Sequence, residues 1–261
     1  MYIFAVDMDG TFLNSSNDYN RKYFNEIFTT FNNQFLFIVA SSNTTSHLQS
    51  FFNDLNIYYV GSNGAAISYN NEIIHTHYIE NADVGKTCEL LEALSIDSYV
   101  VSTLESSYGC KNANDVFLAR MNKYYDNLQV GNHFDSDHVT KITIELQVEA
   151  QRRIEIINHL NSKLKHSVAV DSGFHCIDII HRNVNKATGI EYVLNLVNES
   201  KENLYVFGDS DNDLEMLQMT NHSYAMANAN SRVKGVASEI IPSNDQDGVL
   251  KTMEKILKKE L

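Results

Sequence analysis

The stretch Tyr2-Ile-Phe-Ala-Val6, followed directly by Asp7-Met8-Asp9-Gly10-Thr11, decides the fold of this chain. Its five apolar or aromatic residues predict a buried strand, and the glycine after the two acids predicts a tight turn. Because ligands bind at the carboxyl ends of strands in open α/β sheets, Asp7 and Asp9 are candidate site residues. On these residues alone, an ordinary Asp-Gly hairpin turn with exposed acids remains the alternative.

The composition is that of an ordinary globular protein. The chain has 261 residues, a length that fits one large domain or two modest ones. Of its residues, 43% are hydrophobic and 20% are charged, as is usual for globular proteins. The net charge of -13 disfavours nucleic acid and anionic membrane surfaces as partners, because long-range repulsion opposes both. An anionic small substrate would therefore need a local positive charge in its site.

The cysteines and the N-terminus favour a reducing compartment. Cys88, Cys110 and Cys176 are widely spaced and form no Cys-x-x-Cys pair, which predicts free thiols. The N-terminal apolar run has no basic segment before it and ends at Asp7, so we expect no signal peptide. No apolar run approaches the roughly 18 residues that span a bilayer. We expect a cytoplasmic protein.

Continuous apolar strands alternate with helices at both ends of the chain. Strands are predicted at 2–6, 35–40, 57–60, 204–207, 223–226 and 239–241, with a hairpin at 65–68 and 73–79. Helices are predicted at 20–32, from Thr44 or Thr45 onward, at 186–197, at 211–219 and from 248. Continuous rather than alternating strands favour a parallel sheet buried on both faces.

The middle of the chain has a different pattern of predicted helices and strands. Helices are predicted at 84–94, 116–125 and 150–164, and strands at 98–103, 141–146, 167–170 and 175–180. The third helix is expected to bury one face, formed by Ile154, Ile157, Leu160 and Leu164. Strand pairs with interposed helices predict a separate α+β domain. We expect an α/β core domain formed by 1–81 and 185–261, interrupted by an inserted domain at 82–184.

Two apolar strands from opposite ends of the chain each end in acids, Asp7 with Asp9 and Asp209 with Asp213. A parallel sheet can bring these ends together, and converging carboxylate oxygens suit Mg²⁺. Asp7 could then attack phosphorus and form an aspartyl-phosphate, while Asp9 protonates a leaving oxygen and later deprotonates water.

Ser41 and Lys186 add a hydroxyl and a cation to this set. Ser41 follows the second predicted strand, and Lys186 begins the helix before the strand at 204–207. A lysine there would supply the fixed positive charge that an acidic protein otherwise lacks. By itself, one lysine at a helix start is also compatible with an ordinary surface position.

Together these residues resemble the motifs of the haloacid dehalogenase (HAD) superfamily of phosphatases, specifically its Cof-like group with a large C2-type (IIB) cap. The four matching motifs are Asp7-Met8-Asp9-Gly10-Thr11, Ser41, Lys186 and Gly208-Asp209-Ser210-Asp211-Asn212-Asp213. Three further segments are similar: Ser62-Asn63-Gly64-Ala65, Ala225-Met226-Ala227-Asn228-Ala229 and Asp247-Gly248-Val249. The motifs occur in order and cover nearly the whole chain, so a chance match is improbable.

The resemblance implies a Rossmann-like parallel-sheet core with the active site at the carboxyl ends of its strands. Asp7 would be the nucleophile and Asp9 the general acid and base. Mg²⁺ would be held by Asp7, the Asp9 main-chain carbonyl and Asp209. Asp213 would orient metal-bound waters or bind the metal directly. The inserted cap would close over the site and choose the leaving group.

The resemblance also implies a set of phosphate and substrate contacts. The residues expected to hold phosphoryl oxygens or lie near the substrate are Ser41, Asn63, Gly64, Lys186, Asn212 and Asn228. Asn63 and Asn228 lie near glycine or alanine turns, where asparagine is common for backbone reasons, so a structural role for them stays open.

One position departs from the family pattern. The second-motif residue is usually followed by Gly-Arg in this group, whereas Ser42-Asn43 follows Ser41 here. Asn43 cannot supply the charge or the five donors of an arginine, so the substrate contacts made through that position stay open. Because Ser41 itself is present, we expect catalysis to survive.

We therefore expect a Mg²⁺-dependent phosphatase that hydrolyses phosphomonoesters of small metabolites. Sugar phosphates are the leading substrate class, followed by phosphorylated cofactors such as pyridoxal phosphate or flavin mononucleotide (FMN). A phosphomutase or phosphotransferase is an alternative enzyme, and a non-catalytic phosphometabolite-binding module is an alternative of another class. We expect a small phosphorylated metabolite as the partner, neither nucleic acid nor membrane, and a monomer or weak homodimer.

Overall fold

The structure, a computed structural model, describes residues 1–52, 55–125, 127–131, 134–173 and 175–260. The strands of these residues are β1 (Tyr2–Val6), β2 (Phe35–Ala40), β3 (Tyr58–Gly61), β4 (Ala66–Tyr69), β5 (Glu72–Thr76), β6 (Tyr99–Ser102), β7 (Ser107–Gly109), β8 (Leu128–Val130), β9 (Lys141–Glu145), β10 (Ser167–Gly173), β11 (Cys176–His181), β12 (Leu204–Gly208), β13 (Ser223–Met226) and β14 (Glu239–Ile241). The helices are α1 (Arg21–Thr30), α2 (Thr45–Gln49), α3 (Asn81–Ala93), α4 (Asp115–Met121), α5 (Ala150–Asn161), α6 (Lys186–Leu196), α7 (Leu214–Leu217), α8 (Ser231–Val236) and α9 (Gly248–Leu257).

The larger sheet has the strand order β14-β13-β12-β1-β2-β3-β4-β5. Its strands run parallel from β14 to β3, and β4 and β5 add an antiparallel edge. The central strand β1 is fully buried from Ile3 to Val6, as expected for a strand covered on both faces. The predicted α/β fold with a Rossmann-like parallel core is confirmed.

Helix caps set the positions from which the core helices start. The Asn20 side chain accepts the N–H of Tyr23 and starts α1, which buries Phe24 and Ile27 against the sheet. Asn185 and Thr188 form a reciprocal capping box at the start of α6. This box makes Lys186 the first residue of α6.

The smaller sheet has the strand order β10-β11-β9-β6-β7-β8 and is antiparallel except between β7 and β8. Ile142 and Ile144 of β9 and Ile177 and Ile179 of β11 pack with α3 and α5 in a separate hydrophobic cluster. On the opposite face, Val100 packs with Phe117, Met121 and Tyr125. We call this sheet and its helices the cap; the predicted α+β insertion is confirmed, and its limits at residues 82 and 184 stay a prediction.

Several local expectations are corrected by the structure. Of the face predicted for the helix at 150–164, Leu160 and Leu164 are buried and Ile157 is partly buried, but Ile154 is 48% exposed because α5 buries Ile156 in its place. The short elements β7, β8 and α8 were not predicted, since each has only three to six residues and too little periodicity. No helix in the described part of the chain is long and apolar enough to cross a membrane.

Candidate active site

The strand register brings the candidate residues to one edge of the core sheet. Val6 pairs with Phe207 in β12 on one side and with Val39 in β2 on the other. The Asp7 N–H continues the ladder by donating to the Phe207 carbonyl at 3.1 Å. Asp7, Asp209 and Ser41 therefore follow three adjacent strands where they end.

A buried lysine joins two of the acids. Lys186 is 1% exposed, and its Nζ donates to Oδ1 of Asp7 and to Oδ1 of Asp213, both at 2.6 Å. Asp7, Asp209 and Asp213 each offer a carboxylate oxygen within 4.8 Å of the others. Two of the three carboxylates thus accept from one ammonium group, and the cluster holds more acids than cations.

The Asp213 carboxylate is fully engaged by protein donors. Its Oδ1 accepts from Lys186, and its Oδ2 accepts the backbone N–H groups of Asp209 at 2.9 Å and Ser210 at 3.0 Å. Asp213 is completely buried. Its side chain therefore fixes both Lys186 and the loop that carries Asp209.

The turn after β1 is shaped around Asp209. Thr11 donates its hydroxyl to Asp209 Oδ1 at 3.2 Å. Gly10 has a φ of +81°, and a Cβ at this position would lie 2.5 Å from Asp209 Oδ2. Only glycine fits both this backbone conformation and this close approach.

Burial and mutual repulsion perturb these acids. Burial, followed by the charge of Asp213, raises the pKa of Asp7 well above its ordinary value, although Lys186 acts in the opposite direction. The same two causes raise the pKa of Asp209 to about 7. Burial acts to lower the pKa of Lys186, but Asp213 and Asp7 outweigh it and raise that pKa. A bound cation would relieve the repulsion among the carboxylates.

Asp9 is held by the residue that departs from the family pattern. The Asn43 side-chain amide donates to Asp9 Oδ2 at 2.8 Å, and the Asn43 N–H donates to Ser41 Oγ at 3.1 Å. Burial raises the pKa of Asp9, while the charge of Lys186 acts to lower it. A raised pKa suits a carboxyl group that must first donate a proton.

Asn63 and Asn212 are joined at the junction with the cap. Asn63 is 2% exposed; its amide donates to Asp178 Oδ2 of β11 at 2.7 Å, and its oxygen accepts from Asn212 Nδ2 at 3.2 Å. Gly64 has a φ of +100°, and a Cβ there would lie 2.2 Å from the Asn185 carbonyl oxygen. The 62–65 segment therefore packs closely against the start of α6.

Asn228 reaches the β1 turn from another direction. It is an exposed residue whose amide donates to the Gly10 carbonyl at 2.7 Å and whose oxygen accepts the Asn244 N–H at 3.2 Å. These contacts give Asn228 a bracing role beside the site.

Two cap residues near the site were missed by the sequence analysis. Lys141 of β9 donates its Nζ to the Ser42 carbonyl at 2.6 Å, and Asp178 accepts from Asn63. The available signal was the alternation in Lys141-Ile-Thr-Ile-Glu145, in which all five residues are buried. A buried strand with a polar face needs partners for that face.

Comparison with known proteins agrees with this geometry. Residues 4–253 match the family described as haloacid dehalogenase-like hydrolase. The chain belongs to the haloacid dehalogenase-like hydrolases. Within that family it is 31% identical to the 5-amino-6-(5-phospho-D-ribitylamino)uracil phosphatase YbjI of Escherichia coli, with 99% of this chain and 97% of the relative covered.

Solved structures share the whole architecture of this chain. SMU.1108c from Streptococcus mutans superposes with a TM-score of 0.90 and 30% identity, covering 99% of both chains. The HAD subclass IIB sugar phosphatase BT4131 superposes with a TM-score of 0.83 over 98% of this chain and 99% of its own, at 17% identity, which supports the fold. The expectation of a haloacid dehalogenase superfamily phosphatase with a IIB cap is confirmed.

Proposed function

We propose that the chain is a Mg²⁺-dependent phosphatase that hydrolyses phosphomonoesters of small metabolites through phospho-Asp7. The observation that carries this proposal is the buried Lys186, which bridges Asp7 and Asp213 at 2.6 Å beside Asp209. An aspartate that is fixed at a strand end and hydrogen-bonded to a buried cation is placed to act on a phosphoryl group.

Asp7 and Asp9 divide the chemistry. An Asp7 carboxylate oxygen forms a bond to phosphorus as the bond from phosphorus to the leaving oxygen breaks, and Asp9 gives its proton to that oxygen. Asp9 then takes a proton from the water that attacks phospho-Asp7. This second step releases inorganic phosphate and restores both carboxyl groups.

The carboxylate cluster fits a hard divalent cation. Asp7, Asp209 and the main-chain carbonyl of Asp9 are the proposed ligands, since oxygen donors suit Mg²⁺. Because both Asp213 oxygens already accept protein donors, we assign Asp213 the orienting role rather than direct ligation. When bound, Mg²⁺ supplies positive charge that draws a phosphate oxygen toward Asp7.

Polar groups around the cluster hold the phosphoryl group. Ser41, Lys186 and Asn212 are proposed to contact its oxygens. Asn63, Gly64 and Asn228 are proposed to lie near the substrate, with Asn63 linked to Asn212 at 3.2 Å. In this protein of net charge -13, Lys186 offsets the repulsion that a phosphate would otherwise meet.

Sugar and polyol phosphates are the proposed substrate class, with pyridoxal phosphate and FMN behind them. The relative from Escherichia coli is named for a substrate with a phosphorylated ribityl chain, which is a primary-alcohol phosphate. A cavity of about 400 Å³ lies between core and cap and flanks the acidic cluster: Asn63, Lys186 and Asn212 line it, whereas Asp7, Asp9 and Ser41 do not. Such a volume is within the range of small-molecule sites.

The remaining proposals concern the organisation of the protein. We propose a core formed by 1–81 and 185–261, and a cap at 82–184 that closes over the site and selects the leaving group. A cytoplasmic location and a monomer or weak homodimer complete the proposal.

The test is turnover of a phosphate panel with Mg²⁺ and with excess EDTA. The panel contains 5-amino-6-(5-phospho-D-ribitylamino)uracil, hexose and pentose phosphates, pyridoxal phosphate, FMN and p-nitrophenyl phosphate. We expect Mg²⁺-dependent release of inorganic phosphate, and we expect Asp7→Asn to lower turnover by at least about 10³-fold. The exposed Asp18→Asn is the matched control.

Other outcomes would contradict the proposal in different ways. Wild-type turnover by Asp7→Asn would exclude Asp7 as the nucleophile. An isomerised sugar phosphate in place of inorganic phosphate would indicate a phosphomutase. Binding of phosphorylated metabolites without any turnover would indicate a non-catalytic module.

A further inference from the structure

Lys141 is a buried cation that the chemistry above does not use. It is the first residue of β9 in the cap and is 3% exposed. Its Nζ lies 3.8 Å from Asp178 Oδ2 and 5.6 Å from the centre of the Tyr125 ring. Burial acts to lower its pKa, but Asp178 leads the groups that outweigh this and raise the pKa, so Lys141 remains charged.

The hydrogen bond made by this cation crosses from the cap to the core. Lys141 Nζ donates to the Ser42 carbonyl at 2.6 Å. Ser42 lies between Ser41, whose Oγ accepts the Asn43 N–H, and Asn43, whose side chain donates to Asp9 Oδ2. A continuous series of contacts therefore runs from the cap sheet to the proposed proton donor.

The loop that receives Lys141 has no positive charge of its own. Its residues are Ser41-Ser42-Asn43-Thr44. A neutral loop beside a buried carboxyl group gains a fixed orientation from a charged donor on its carbonyl, because charge-assisted hydrogen bonds are stronger than neutral ones. Since the donor belongs to the cap, this orientation exists when cap and core are in contact.

We propose that Lys141 is a positioning residue that holds the 41–43 loop so that Asn43 aligns Asp9 for proton transfer to the leaving group. The inference rests on the proposed phosphatase function and deepens it. Through this contact, docking of the cap and alignment of the acid are one event. A merely structural Lys141 would instead serve only to neutralise Asp178.

Leaving-group dependence separates these two roles. An alkyl phosphate needs a proton on its leaving oxygen, whereas p-nitrophenolate leaves readily without one. We expect Lys141→Met to lower kcat/KM for an alkyl phosphate of the panel by about 100-fold, the scale of general-acid catalysis, and for p-nitrophenyl phosphate by much less. Lys141→Arg keeps a charged donor and should recover part of the loss.

Two further variants keep this experiment interpretable. Lys163→Met removes an exposed cap lysine and should behave as wild type. Lys141→Met combined with Asp178→Asn removes both buried charges, so it protects folding and tests neutralisation directly. If the double variant turns over the alkyl phosphate as fast as Asp178→Asn alone, Lys141 is not needed for alignment and the inference is overturned. Equal slowing of both substrates by Lys141→Met would overturn it as well.

Hydrogen exchange tests the same inference without requiring turnover. The Ser41 N–H donates to Val60 and the Asn43 N–H donates to Ser41 Oγ. We expect Lys141→Met to speed exchange of these two amides about tenfold or more relative to Lys163→Met. Unchanged exchange would overturn the inference even in a protein that fails on the phosphate panel, whereas failure on the panel alone contradicts the proposed function.

Discussion

Charged groups are brought together in two different ways at the core edge, where β1, β2 and β12 end, and on the polar face of the cap sheet, which carries Lys141, Thr143 and Asp178. At the core edge, each acidic run directly follows a buried parallel strand, so the pairing of β1 with β12 brings Asp7 and Asp209 together. On the cap sheet, Lys141, Thr143 and Asp178 are single residues that alternate with isoleucines on two antiparallel strands. The core arrangement follows from where strands end, whereas the cap arrangement depends on the register between strands.

This difference has an energetic side. The core cluster holds three acids against one lysine, and its geometry is imposed by a parallel sheet that is buried on both faces. In the cap, Asp178 accepts from Asn63 and from Thr143 Oγ1 at 2.7 Å each, with Lys141 nearby. The core cluster is therefore strained by like charges, and the polar face of the cap is close to balanced.

The largest effect is expected at the core cluster. Lys186→Met should lower the free energy of unfolding by about 3–5 kcal/mol, because it removes one partner of a buried ion pair and leaves the acids uncompensated. Urea unfolding followed by circular dichroism measures this change. Lys201→Met breaks the exposed pair with Glu191 and should cost less than about 1 kcal/mol. Equal losses in both variants would remove the contrast between buried and exposed charges.

The next effect concerns the turn after β1. Gly10→Ala should cost about 2–3 kcal/mol and lower turnover, because a side chain at φ +81° is strained and its Cβ displaces the Asp209 carboxylate. Gly85→Ala is the control, since a Cβ there meets nothing within 4 Å inside α3 and should stabilise the protein by about 0.5–1 kcal/mol. Thermal unfolding of both variants checks the opposite signs.

A smaller effect tests the cap framework. The Asp83 carboxylate accepts the backbone N–H groups of Lys165, His166 and Ser167 at 3.3, 2.7 and 2.7 Å. Burial acts to raise the pKa of Asp83, but these hydrogen bonds outweigh it and lower that pKa. Asp83→Asn should cost about 1–3 kcal/mol at pH 7 and leave kcat unchanged.

The pH dependence of that cost follows from the lowered pKa. The folded-state pKa of Asp83 lies below its unfolded value of about 3.9, so the stabilisation is complete above that value and is lost as pH falls through the folded-state pKa. Urea unfolding of wild type and Asp83→Asn from about pH 7 down to about pH 2 should show the difference in stability between them shrinking on acidification, because Asp83 is then protonated in both the folded and the unfolded state. A gap that widens on acidification would contradict this assignment.

The smallest effect is expected at Asn228. Asn228→Ala removes the bonds to Gly10 and Asn244, but because the side chain is exposed, the loss should be at most about 1 kcal/mol. Asn195→Ala, on the exposed face of α6, is the control. The KM for the best panel substrate decides whether Asn228 only braces the turn, since a raised KM at unchanged stability would indicate contact with the substrate.

Most of the core edge could be predicted from sequence because its information is local. The run 2–11 specifies its own strand, turn and acids, and the second acidic strand end repeats that pattern. The role of Asn43 could not be predicted, because its bond to Asp9 depends on how two separate loops approach each other.

The cap was predictable as an α+β unit but not as a contributor to the site. The alternation in β9 was visible, yet which face meets the core depends on the packing of α3 and α5 on the other side. The same limit explains Ile154, because spacing alone does not show that α5 buries Ile156 against the cap sheet and leaves Ile154 exposed.

The discontinuous core has a consequence for synthesis of the protein. Lys186 and Asp7 lie 179 positions apart in the chain, and Thr11 and Asp209 lie 198 apart. During synthesis, β1 has no β12 to pair with until the strands β6 to β11 of the cap sheet have been translated. Closing so long a loop is slow, so an incomplete chain carries an unpaired apolar strand edge, where chaperone binding would be most useful.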